Sequence, residues 1–326
     1  MKVSVIVPIY NVERFIRRCV VSLMEQTLYD IEYIFVNDAS IDSSMPILED
    51  VVSRYPERIE QVHIIHHDKN RGLPHARNTG LAVAKGEYIY HCDSDDFVEK
   101  EMLEHMYAEA KLQDSDFVWC DWFLAYENNE RVMKQPDSSS VYDAVIKMLS
   151  GSLKYNVWNK LVKRSLYIEN EIQFPSGYSM GEDMTMIRLA SCSSKVAHVP
   201  ICLYHYIRTN AGALTHSYSP THLQELLHNA NETIEFLLKR RFVSINDLAY
   251  YKLNLKRPFL ISDNKESYLI WKSLYPEANS YIMKNKNVSL RTRLLEKMAS
   301  KDMWFCVWIY NKILYGLIYN FLYRSA

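Results

Sequence analysis

The first 125 residues of this 326-residue chain alternate short β-branched runs with longer amphipathic stretches. The runs cover residues 3–8, 31–37, 61–66, 87–91 and 116–120. Alternating strands and helices build a mostly parallel sheet that is flanked by helices. The pattern therefore predicts an α/β fold, and in such folds ligands bind beyond the carboxyl ends of the strands.

The sequence beyond about residue 142 is more helical. Short extended runs occur at 196–199 and 202–206. An apolar stripe at i, i+3, i+4 and i+7 spacing predicts a long helix that begins near Pro220. Residues 240–300 are predicted to be helical without clear boundaries.

The composition is that of an ordinary globular protein, with 48% hydrophobic and 24% charged residues. A formal net charge of -1 argues against an overall basic field, so no nucleic-acid partner is predicted. The six cysteines are scattered without a Cys-x-x-Cys pair, and the N-terminal apolar run is too short for a signal peptide. These features predict a cytoplasmic protein.

The C-terminal segment, residues 303–326, is rich in aromatic and apolar residues, and six Lys and Arg residues precede it between positions 284 and 301. An aromatic, apolar helix beside basic residues is typical of an anchor on an anionic membrane surface. We therefore expect peripheral attachment to the inner face of the cell membrane. The alternative is that the segment packs on the rest of the protein or on a second copy, which would make a homo-oligomer.

An acidic cluster follows the fourth predicted strand. Asp93, Asp95 and Asp96 fall within four positions, with Ser94 between the first two. Clustered carboxylates repel one another unless a cation lies near them. A divalent ion completed by water and substrate phosphates would satisfy Asp93 and Asp95. Asp96 and Glu99 instead fit a capping box that opens the next helix.

Two further polar clusters follow predicted strands. Asp38 comes directly after the second strand, where it could bind a base or a ribose, although these residues alone favour a helix cap. After the third strand, a loop with Asn70, Gly72 and Arg77 turns into a helix. Such a loop can approach a diphosphate closely, with the arginine as its positive partner.

The clusters occur in a characteristic order along the chain. They are Val3-Ser4-Val5-Ile6-Val7-Pro8-Ile9-Tyr10-Asn11, Asn37-Asp38-Ala39-Ser40, Asn70-x-Gly72, Ala76-Arg77-Asn78-x-Gly80, Asp93-Ser94-Asp95-Asp96, Trp158-Asn159-Lys160-Leu161 and Gly181-Glu182-Asp183. This order resembles glycosyltransferase family 2, whose members are inverting enzymes with the GT-A nucleotide-sugar fold. The resemblance is dense over residues 1–125 and sparse from there to about 216. Members often have Asp-Asp-Gly-Ser where this chain has Asn37 to Ser40, which weakens the inference of a nucleobase contact.

The resemblance implies a role for each motif. Pro8, Tyr10, Asn11 and Asp38 would line the nucleoside pocket, and Asn70, Arg77, Asp93 and Ser94 would complete the donor site. Asp95 would be the main ligand of a divalent metal, Mn²⁺ or Mg²⁺, with Asp93 beside it and His205 or His216 as further candidates. Such an ion neutralises the departing nucleoside diphosphate. Trp158 and Lys160 would lie on the acceptor side, although a tryptophan at position 158 fits the hydrophobic core equally well.

The resemblance also places a base in Gly181-Glu182-Asp183. Ser179 and Glu182 fit a capping box, which would occupy Glu182 at the start of its own helix. Asp183 is then the predicted base, with Glu182 secondary. It would take a proton from the acceptor hydroxyl as that hydroxyl attacks.

The predicted protein is an inverting, metal-dependent glycosyltransferase that moves a hexosyl or N-acetylhexosaminyl group. The donor would be a nucleotide sugar, with UDP favoured, and the acceptor a glycan or lipid-linked hydroxyl in cell-surface polysaccharide synthesis. The alternatives are a donor-binding subunit without turnover and, less favoured, a metal-dependent phosphohydrolase, against which Phe97 and the late acidic motif argue. The predicted domains are a GT-A domain at 1–216, divided into a donor half at 1–125 and an acceptor half at 126–216, a helical extension at 217–302 and the segment 303–326.

Overall fold

The structure is a computed structural model that describes residues 1–209, 220–261 and 264–314. The strands are β1 (Val3–Ile9), β2 (Ile31–Asn37), β3 (Val62–His66), β4 (Tyr88–His91), β5 (Phe97–Val98), β6 (Phe117–Ala125), β7 (Glu130–Met133), β8 (Lys160–Lys163) and β9 (Val196–Ile207). The α-helices are α1 (Ile16–Met24), α2 (Ser44–Val52), α3 (Leu73–Val83), α4 (Met102–Gln113), α5 (Val141–Ser150), α6 (Arg164–Glu169), α7 (Thr185–Cys192), α8 (Pro220–Lys239), α9 (Ile245–Lys256), α10 (Lys265–Ser273), α11 (Leu290–Ser300) and α12 (Trp304–Leu314). Short 3-10 helices lie at Pro56–Gln61, Glu182–Met184, Arg257–Leu260 and Pro276–Lys284.

The strands form one mixed sheet in the order β3-β2-β1-β4-β8-β6-β9-β5, with β7 paired to β6. The half built from β3, β2, β1 and β4 is parallel throughout. In the other half β8 runs antiparallel to both β4 and β6, while β6 and β9 are parallel. The predicted α/β class is confirmed, but the sheet is mixed rather than mostly parallel.

The strand order changes direction at β1, which lies between β2 and β4 and is parallel to both. Every residue of β1 and β2 is buried, as expected for central strands covered on both faces. The carboxyl ends of the three strands therefore meet at one edge of the sheet. Residues 10–11, 38 and 93–95 follow these ends, so the fold brings three segments of the predicted motifs to the same edge.

Helix α3 packs closely against β1 at Gly80. A Cβ atom added to Gly80 would lie 2.4 Å from Cγ2 of Ile6, which is closer than packed atoms approach. Glycine therefore lets the helix approach the central strand closely. This contact fixes the position of Arg77, which lies one turn earlier in the same helix.

The strand predictions for residues 1–125 are confirmed by β1 to β4 and β6. The two extended runs predicted near residues 196–206 join into one strand, β9, whose register against β6 shifts on either side of Asp121. The strands β5, β7 and β8 were not predicted. They contain two, four and four residues, which is too short for a clear alternation of apolar and polar positions.

The chain divides into two compact units. The sheet unit contains Met1–Val145 and Lys154–Arg240, and the C-terminal unit contains Ile146–Leu153 and Arg241–Ala326. Helix α8, whose prediction from Pro220 is confirmed, belongs to the sheet unit. This division falls near residue 240, whereas the sequence predicted a boundary at 216.

Hydrogen bonds explain why α8 stays with the sheet unit. Asn229 on this helix donates to the backbone carbonyls of Tyr178 (3.0 Å) and Met180 (2.9 Å), and Glu225 accepts from the Met180 N–H (2.9 Å).

None of the helices in the described parts of the chain combines the length and the apolar character that a membrane span requires.

Candidate active site

Asp38 fastens the loop that follows β3. Its carboxylate accepts hydrogen bonds from the backbone N–H groups of Arg71 (2.9 Å) and Gly72 (2.8 Å), and it lies 2.7 Å from Nδ1 of His67. The helix-capping interpretation of Asp38 is wrong, because α2 begins only at Ser44. Buried and bonded in this way, Asp38 shapes the predicted diphosphate loop. Its contact with a nucleobase stays a prediction.

The loops after β1 and β2 are bonded to each other. The backbone N–H of Asn11 donates to Oγ of Ser40 (3.2 Å), and the Asn11 side chain accepts from the N–H of Ile41 (3.0 Å). Ala39 has a φ of 61°, a left-handed conformation that favours glycine. The glycine that family members often have at this position is explained by that conformation.

The remaining residues predicted for the donor site differ in exposure. Tyr10 and Asn70 are exposed, whereas Pro8 and Ser94 are buried. The Asn70 side chain accepts a hydrogen bond from the Gly72 N–H (2.9 Å). Asn70 and Asp38 thus stabilise the same turn, since both accept a hydrogen bond from the Gly72 N–H.

Arg77 is a buried cation between the acidic turn and the Glu182-Asp183 segment. Only 1% of its side chain is exposed. Its Nη2 atom lies 2.7 Å from Oδ1 of Asp93 and 3.7 Å from Oε1 of Glu182. Its Nε and Nη1 atoms have no hydrogen-bond partner within the described residues. The guanidinium therefore connects two predicted motifs, while two of its donor atoms make no hydrogen bond to the described residues.

Asn78, the next residue of α3, holds the chain that leads to Glu182 at a second point. Its side chain donates to the carbonyl of Phe174 (2.8 Å) and accepts from the Phe174 N–H (2.9 Å). A Cβ atom at Gly72 would lie 3.4 Å from Oγ of Ser179, so the diphosphate loop also meets this segment. Neighbouring residues of one helix turn thus dock the chain that leads to Glu182.

The three acids of the turn have different surroundings. Asp93, a quarter exposed, is bonded to Arg77, and Asp95 is partly buried. Asp96 is buried and accepts from the hydroxyl of Tyr204 (2.6 Å) and the N–H of Ile207 (2.7 Å). Asp96 therefore connects the acidic turn to β9.

The capping box predicted for Asp96 and Glu99 is wrong. Helix α4 begins at Met102, and its N-cap residue, Glu101, makes no side-chain capping bond. The two acids are used elsewhere: Asp96 bonds to β9, and the Glu99 carboxylate lies 2.9 Å from Nε2 of His205. The buried position of Asp96 could not be recognised from the motif alone, because it depends on residues more than a hundred positions away.

Glu182 and Asp183 lie in a short 3-10 helix and carry perturbed carboxyl groups. Burial, followed by the charge of Asp183, raises the pKa of Glu182 to about 8, although 12% of its side chain is still exposed. Burial also raises the pKa of Asp183 to about 6, opposed by the charge of Arg77. The capping box predicted for Ser179 and Glu182 is wrong, because no side chain caps this helix and Glu182 turns towards Arg77 instead.

The segment before β8 holds Asp183 from the other side. The backbone N–H of Val157 donates to Oδ1 of Asp183 (3.0 Å). The buried Lys160 donates from Nζ to the side chain of Asn159 (2.6 Å) and to the carbonyl of Lys154 (3.0 Å). Burial lowers the pKa of Lys160 to about 7, although the charge of Asp183 opposes the shift. Lys160 therefore lies in the electrostatic surroundings of the predicted base.

Trp158 belongs to the hydrophobic core. Its ring stacks on Tyr204 with centroids 4.3 Å apart and on Tyr206 at 5.4 Å, and it meets Trp122 edge to face at 5.0 Å. Trp158 is buried among these rings. The structure therefore favours the core interpretation of this residue, and its contact with an acceptor stays a prediction.

His205 is held between two carboxylates and two aromatic rings. Its Nδ1 lies 2.7 Å from Glu130 and its Nε2 lies 2.9 Å from Glu99. The ring stacks on Phe97 and Phe123 with centroids 4.0 and 4.7 Å away. This arrangement is that of a cross-link between strands, so we do not include His205 in the proposed metal site.

The other histidine predicted as a candidate metal ligand, His216, lies outside the described residues.

The acidic turn offers the carboxylate oxygens that Mg²⁺ and Mn²⁺ prefer. Over residues 1–209, 220–261 and 264–314, no three His, Cys, Asp or Glu side chains are grouped so that they could hold an ion alone. An ion bound by Asp93 and Asp95 would therefore need its other ligands from water and substrate phosphates, which is the usual arrangement of Mg²⁺ at phosphate-bearing substrates.

The sequence did not single out three contacts of this site. The Val157 amide and the Tyr204 hydroxyl leave no signal in a motif, because one is backbone and the other comes from a distant strand. Asn78 could have been found, because it stands inside the arginine motif at a helix position beside Arg77.

The comparison with known sequences identifies the family. The profile of glycosyl transferase family 2 matches residues 4–180. The Bacillus subtilis protein EpsJ, described as an uncharacterized glycosyltransferase, is 34% identical over 236 residues, which cover 68% of this chain and 67% of that protein. The putative glycosyltransferase EpsH of the same bacterium is 31% identical over 63% of this chain and 60% of its own length. This chain belongs to glycosyltransferase family 2.

Solved structures confirm the GT-A fold. The S. aureus protein TarS in complex with UDP superposes with a TM-score of 0.66 over 95% of this chain and 90% of that chain, at 20% identity. The mannosyltransferase PcManGT from Pyrobaculum calidifontis, in complex with GDP-Man and Mn²⁺, gives a TM-score of 0.50 over 95% and 86%, at 17% identity. The similarity to both extends into the C-terminal half of the chain, where the sequence motifs are sparse.

Proposed function

We propose that this glycosyltransferase moves a hexosyl or N-acetylhexosaminyl group from a UDP-sugar to a hydroxyl group, with inversion at the anomeric carbon. The observation that carries the proposal is the position of Arg77. It joins the acidic turn, where the donor diphosphate would lie, to the segment that holds Glu182 and Asp183. Donor-side and acceptor-side chemistry would thus take place within reach of one buried cation.

Asp183 is the proposed base. Its carboxyl pKa of about 6 leaves it ionised at neutral pH, whereas Glu182, with a pKa of about 8, is mostly protonated there. A carboxylate whose pKa is close to the working pH can accept a proton from the attacking hydroxyl in the transition state. The Val157 N–H fixes one oxygen of Asp183 and leaves the other available for the acceptor.

Arg77 and the loop at Asn70 and Gly72 would bind the donor diphosphate. The unpartnered Nε and Nη1 atoms of Arg77 are buried donors that suit an anion. Asp95 and Asp93 would hold Mn²⁺ or Mg²⁺, and the ion when bound supplies positive charge that makes the diphosphate a better leaving group. Mn²⁺ in the PcManGT complex and UDP in the TarS complex support these choices of ion and donor.

We also propose a glycan or a lipid-linked hydroxyl as acceptor, in the synthesis of a cell-surface polysaccharide. Among the relatives is a poly(ribitol-phosphate) beta-glucosyltransferase of Bacillus spizizenii, 32% identical over 68% of this chain and 34% of its own length. The proposed location is the cytoplasmic side of the cell membrane, at its surface. The basic, aromatic C-terminal region supports this location.

A donor panel tests the proposed function. The full chain is incubated with Mn²⁺ and a set of UDP-, GDP- and dTDP-sugars, and release of the nucleoside diphosphate by slow donor hydrolysis is measured. Release that depends on a UDP-sugar and on Mn²⁺ is expected. Binding without any release, with acceptors present, would favour a donor-binding subunit. Release of phosphate from simple phosphate esters would favour a phosphohydrolase.

A further inference from the structure

Helix α12 in the C-terminal unit presents an exposed apolar stripe. Phe305 is 67% exposed and Ile313 is 53% exposed, and Ile309 lies between them at the same i+4 spacing and is also exposed. Residues spaced in this way lie on one face of a helix. Large apolar side chains in a row on a surface mark a site of interaction rather than chance exposure.

The opposite side of α12 already anchors the helix to its own unit. Val307 is fully buried, and the buried Asn311 donates from its side chain to the carbonyl of Leu260 (2.9 Å). The ring of Trp304 packs near Tyr268, with centroids 4.9 Å apart. The helix is therefore held in place without the stripe, which contributes little to the folding of this unit.

Helix α11 repeats the pattern and adds positive charge. Leu290 and Leu294 are exposed at i+4 spacing, Lys297 continues the same face one turn later, and the exposed Lys301 follows as the C-cap residue. Leu295 on the other face is buried. We call the exposed faces of α11 and α12 the basic apolar surface.

Positive charge dominates this part of the chain. Seven basic residues lie between positions 284 and 312, namely Lys284, Lys286, Arg291, Arg293, Lys297, Lys301 and Lys312. The two acids in the same stretch, Glu296 and Asp302, are paired with Arg257 (2.9 Å) and Lys272 (2.6 Å), which come from other elements. Both acids are thus paired with basic residues from outside this stretch.

We propose that the basic apolar surface docks on a bilayer that contains anionic lipids. Apolar side chains of an interfacial helix enter the boundary between headgroups and acyl chains, while lysines and arginines lie near the anionic headgroups. Phe305, Ile309 and Ile313 are the inserting residues, and Lys297 and Lys301 are the headgroup contacts. The proposal rests on the proposed location of the enzyme but not on the reaction that it catalyses.

Charge complementarity favours a lipid surface over a second copy of the chain. Two copies joined through this surface would bring Lys297 and Lys301 of one copy close to the same lysines of the other. Lysine is also depleted at protein interfaces, where aromatic residues and arginine are enriched. An anionic bilayer satisfies both the apolar stripes and the excess charge.

Vesicle sedimentation with the full chain tests the proposal. Vesicles of phosphatidylcholine alone are compared with vesicles that contain about one third phosphatidylglycerol. Strong binding to the anionic vesicles, weak binding to the neutral ones, and a loss of binding at high salt are expected. Two variants probe the surface: Phe305→Ser with Ile309→Ser and Ile313→Ser, and Lys297→Glu with Lys301→Glu. Each should weaken binding at least about tenfold.

Matched controls come from the sheet unit. Leu112→Ser with Ile168→Ser removes exposed apolar side chains, and Lys85→Glu with Lys100→Glu reverses exposed charges. Both controls should bind vesicles almost as the unchanged protein does. Thermal unfolding checks that every variant is folded.

Three results would overturn the proposal: equal binding to neutral and anionic vesicles, unchanged binding by the two surface variants, or a dimer in light scattering that only the Phe305 variant loses. The last result would identify a second copy as the occupant. Donor-dependent UDP release, measured without vesicles, should be the same in all variants. A failure of the reaction and a failure of docking are therefore distinguishable.

Discussion

Asp93 and Glu182, which are 89 positions apart in sequence, meet at one nitrogen of Arg77, 2.7 and 3.7 Å away. One acid follows the strand that ends in the donor motif, and the other lies beside the proposed base. Because the guanidinium is buried, the interaction is screened little by water. Arg77 thus connects the acidic turn directly to the Glu182-Asp183 segment, and Asn78 holds the chain before that segment through Phe174.

Removing this cation should destabilise the protein. Arg77→Met leaves the Asp93 carboxylate without its partner, and breaking a fully buried ion pair costs about 3–5 kcal/mol. Because Asp93 is a quarter exposed and Glu182 is mostly protonated at neutral pH, the free energy of unfolding in urea should fall by about 3 kcal/mol, the low end of that range. Arg54→Met is the matched control, because Arg54 pairs with Asp50 on the surface, where such a pair is worth about 1 kcal/mol or less. Equal losses in the two variants would contradict the role of Arg77.

Lys160 should act as a positioning residue for Asp183. Lys160→Met removes the donor that ties Asn159 and the Lys154 carbonyl, and so loosens the segment whose Val157 N–H holds the base. We expect kcat to fall about 10- to 100-fold with little change in the donor KM. The midpoint of the activity–pH curve should also rise, because a positive charge near Asp183 is lost.

The control for Lys160 is Lys163→Met on the same strand. Lys163 is partly exposed and pairs with Asp116 (3.1 Å). The Lys163→Met variant should have the same kcat and the same midpoint of the activity–pH curve as the unchanged protein. A loss of protein stability in Lys160→Met without any shift of the pH midpoint would reduce Lys160 to a purely structural role.

Activity and stability should depend on pH in opposite directions. Transfer needs ionised Asp183, so kcat should rise with pH through a midpoint of about 6. The folded-state pKa values of Asp183 and Glu182 both lie above their ordinary values of 3.8 and 4.5. Their contribution to stability is therefore complete below pH 4 and is lost as pH rises through about 6 and then 8.

Melting temperatures measured between pH 5 and 9 check this second effect. The unchanged protein should lose stability between about pH 5 and 8, where Glu182 is ionised in the unfolded chain but still protonated in the folded protein, and its stability should level off above pH 8. Glu182→Gln cannot ionise, so its melting temperature should fall less over the same range. Parallel curves for the two proteins would show that Glu182 is not the group that titrates.

The sequence predicted the parts of the fold that have strong local patterns. The buried runs became β1 to β4 and β6, and the apolar stripe after Pro220 became α8. The short strands β5, β7 and β8 could not be predicted, because each contains only two apolar residues, too few to form a readable pattern. The antiparallel half of the sheet, and with it the mixed character, depends on those strands.

The sequence predicted the motifs of the candidate site, but it did not predict the contacts between residues that are distant in the chain. Local sequence alone favours a helix cap for both Asp38 and Asp96, yet both are buried acceptors of bonds from distant loops and strands. Trp158 was given an acceptor role on the basis of its motif, and its aromatic neighbours place it in the core. Capping is a local rule, and it fails where a tertiary contact offers the same carboxylate more hydrogen bonds.

Asp183, rather than Glu182, is the residue proposed to activate the acceptor. Sugar transfer by Asp183→Asn and by Glu182→Gln, measured under conditions in which the donor binds, tests this role. We predict that Asp183→Asn loses a factor of about 100 to 10,000 in kcat while it still binds the UDP-sugar. Glu182→Gln should keep most of the activity, since Glu182 is already protonated at neutral pH. Near-normal transfer by Asp183→Asn would contradict the account, as would a loss confined to Glu182→Gln.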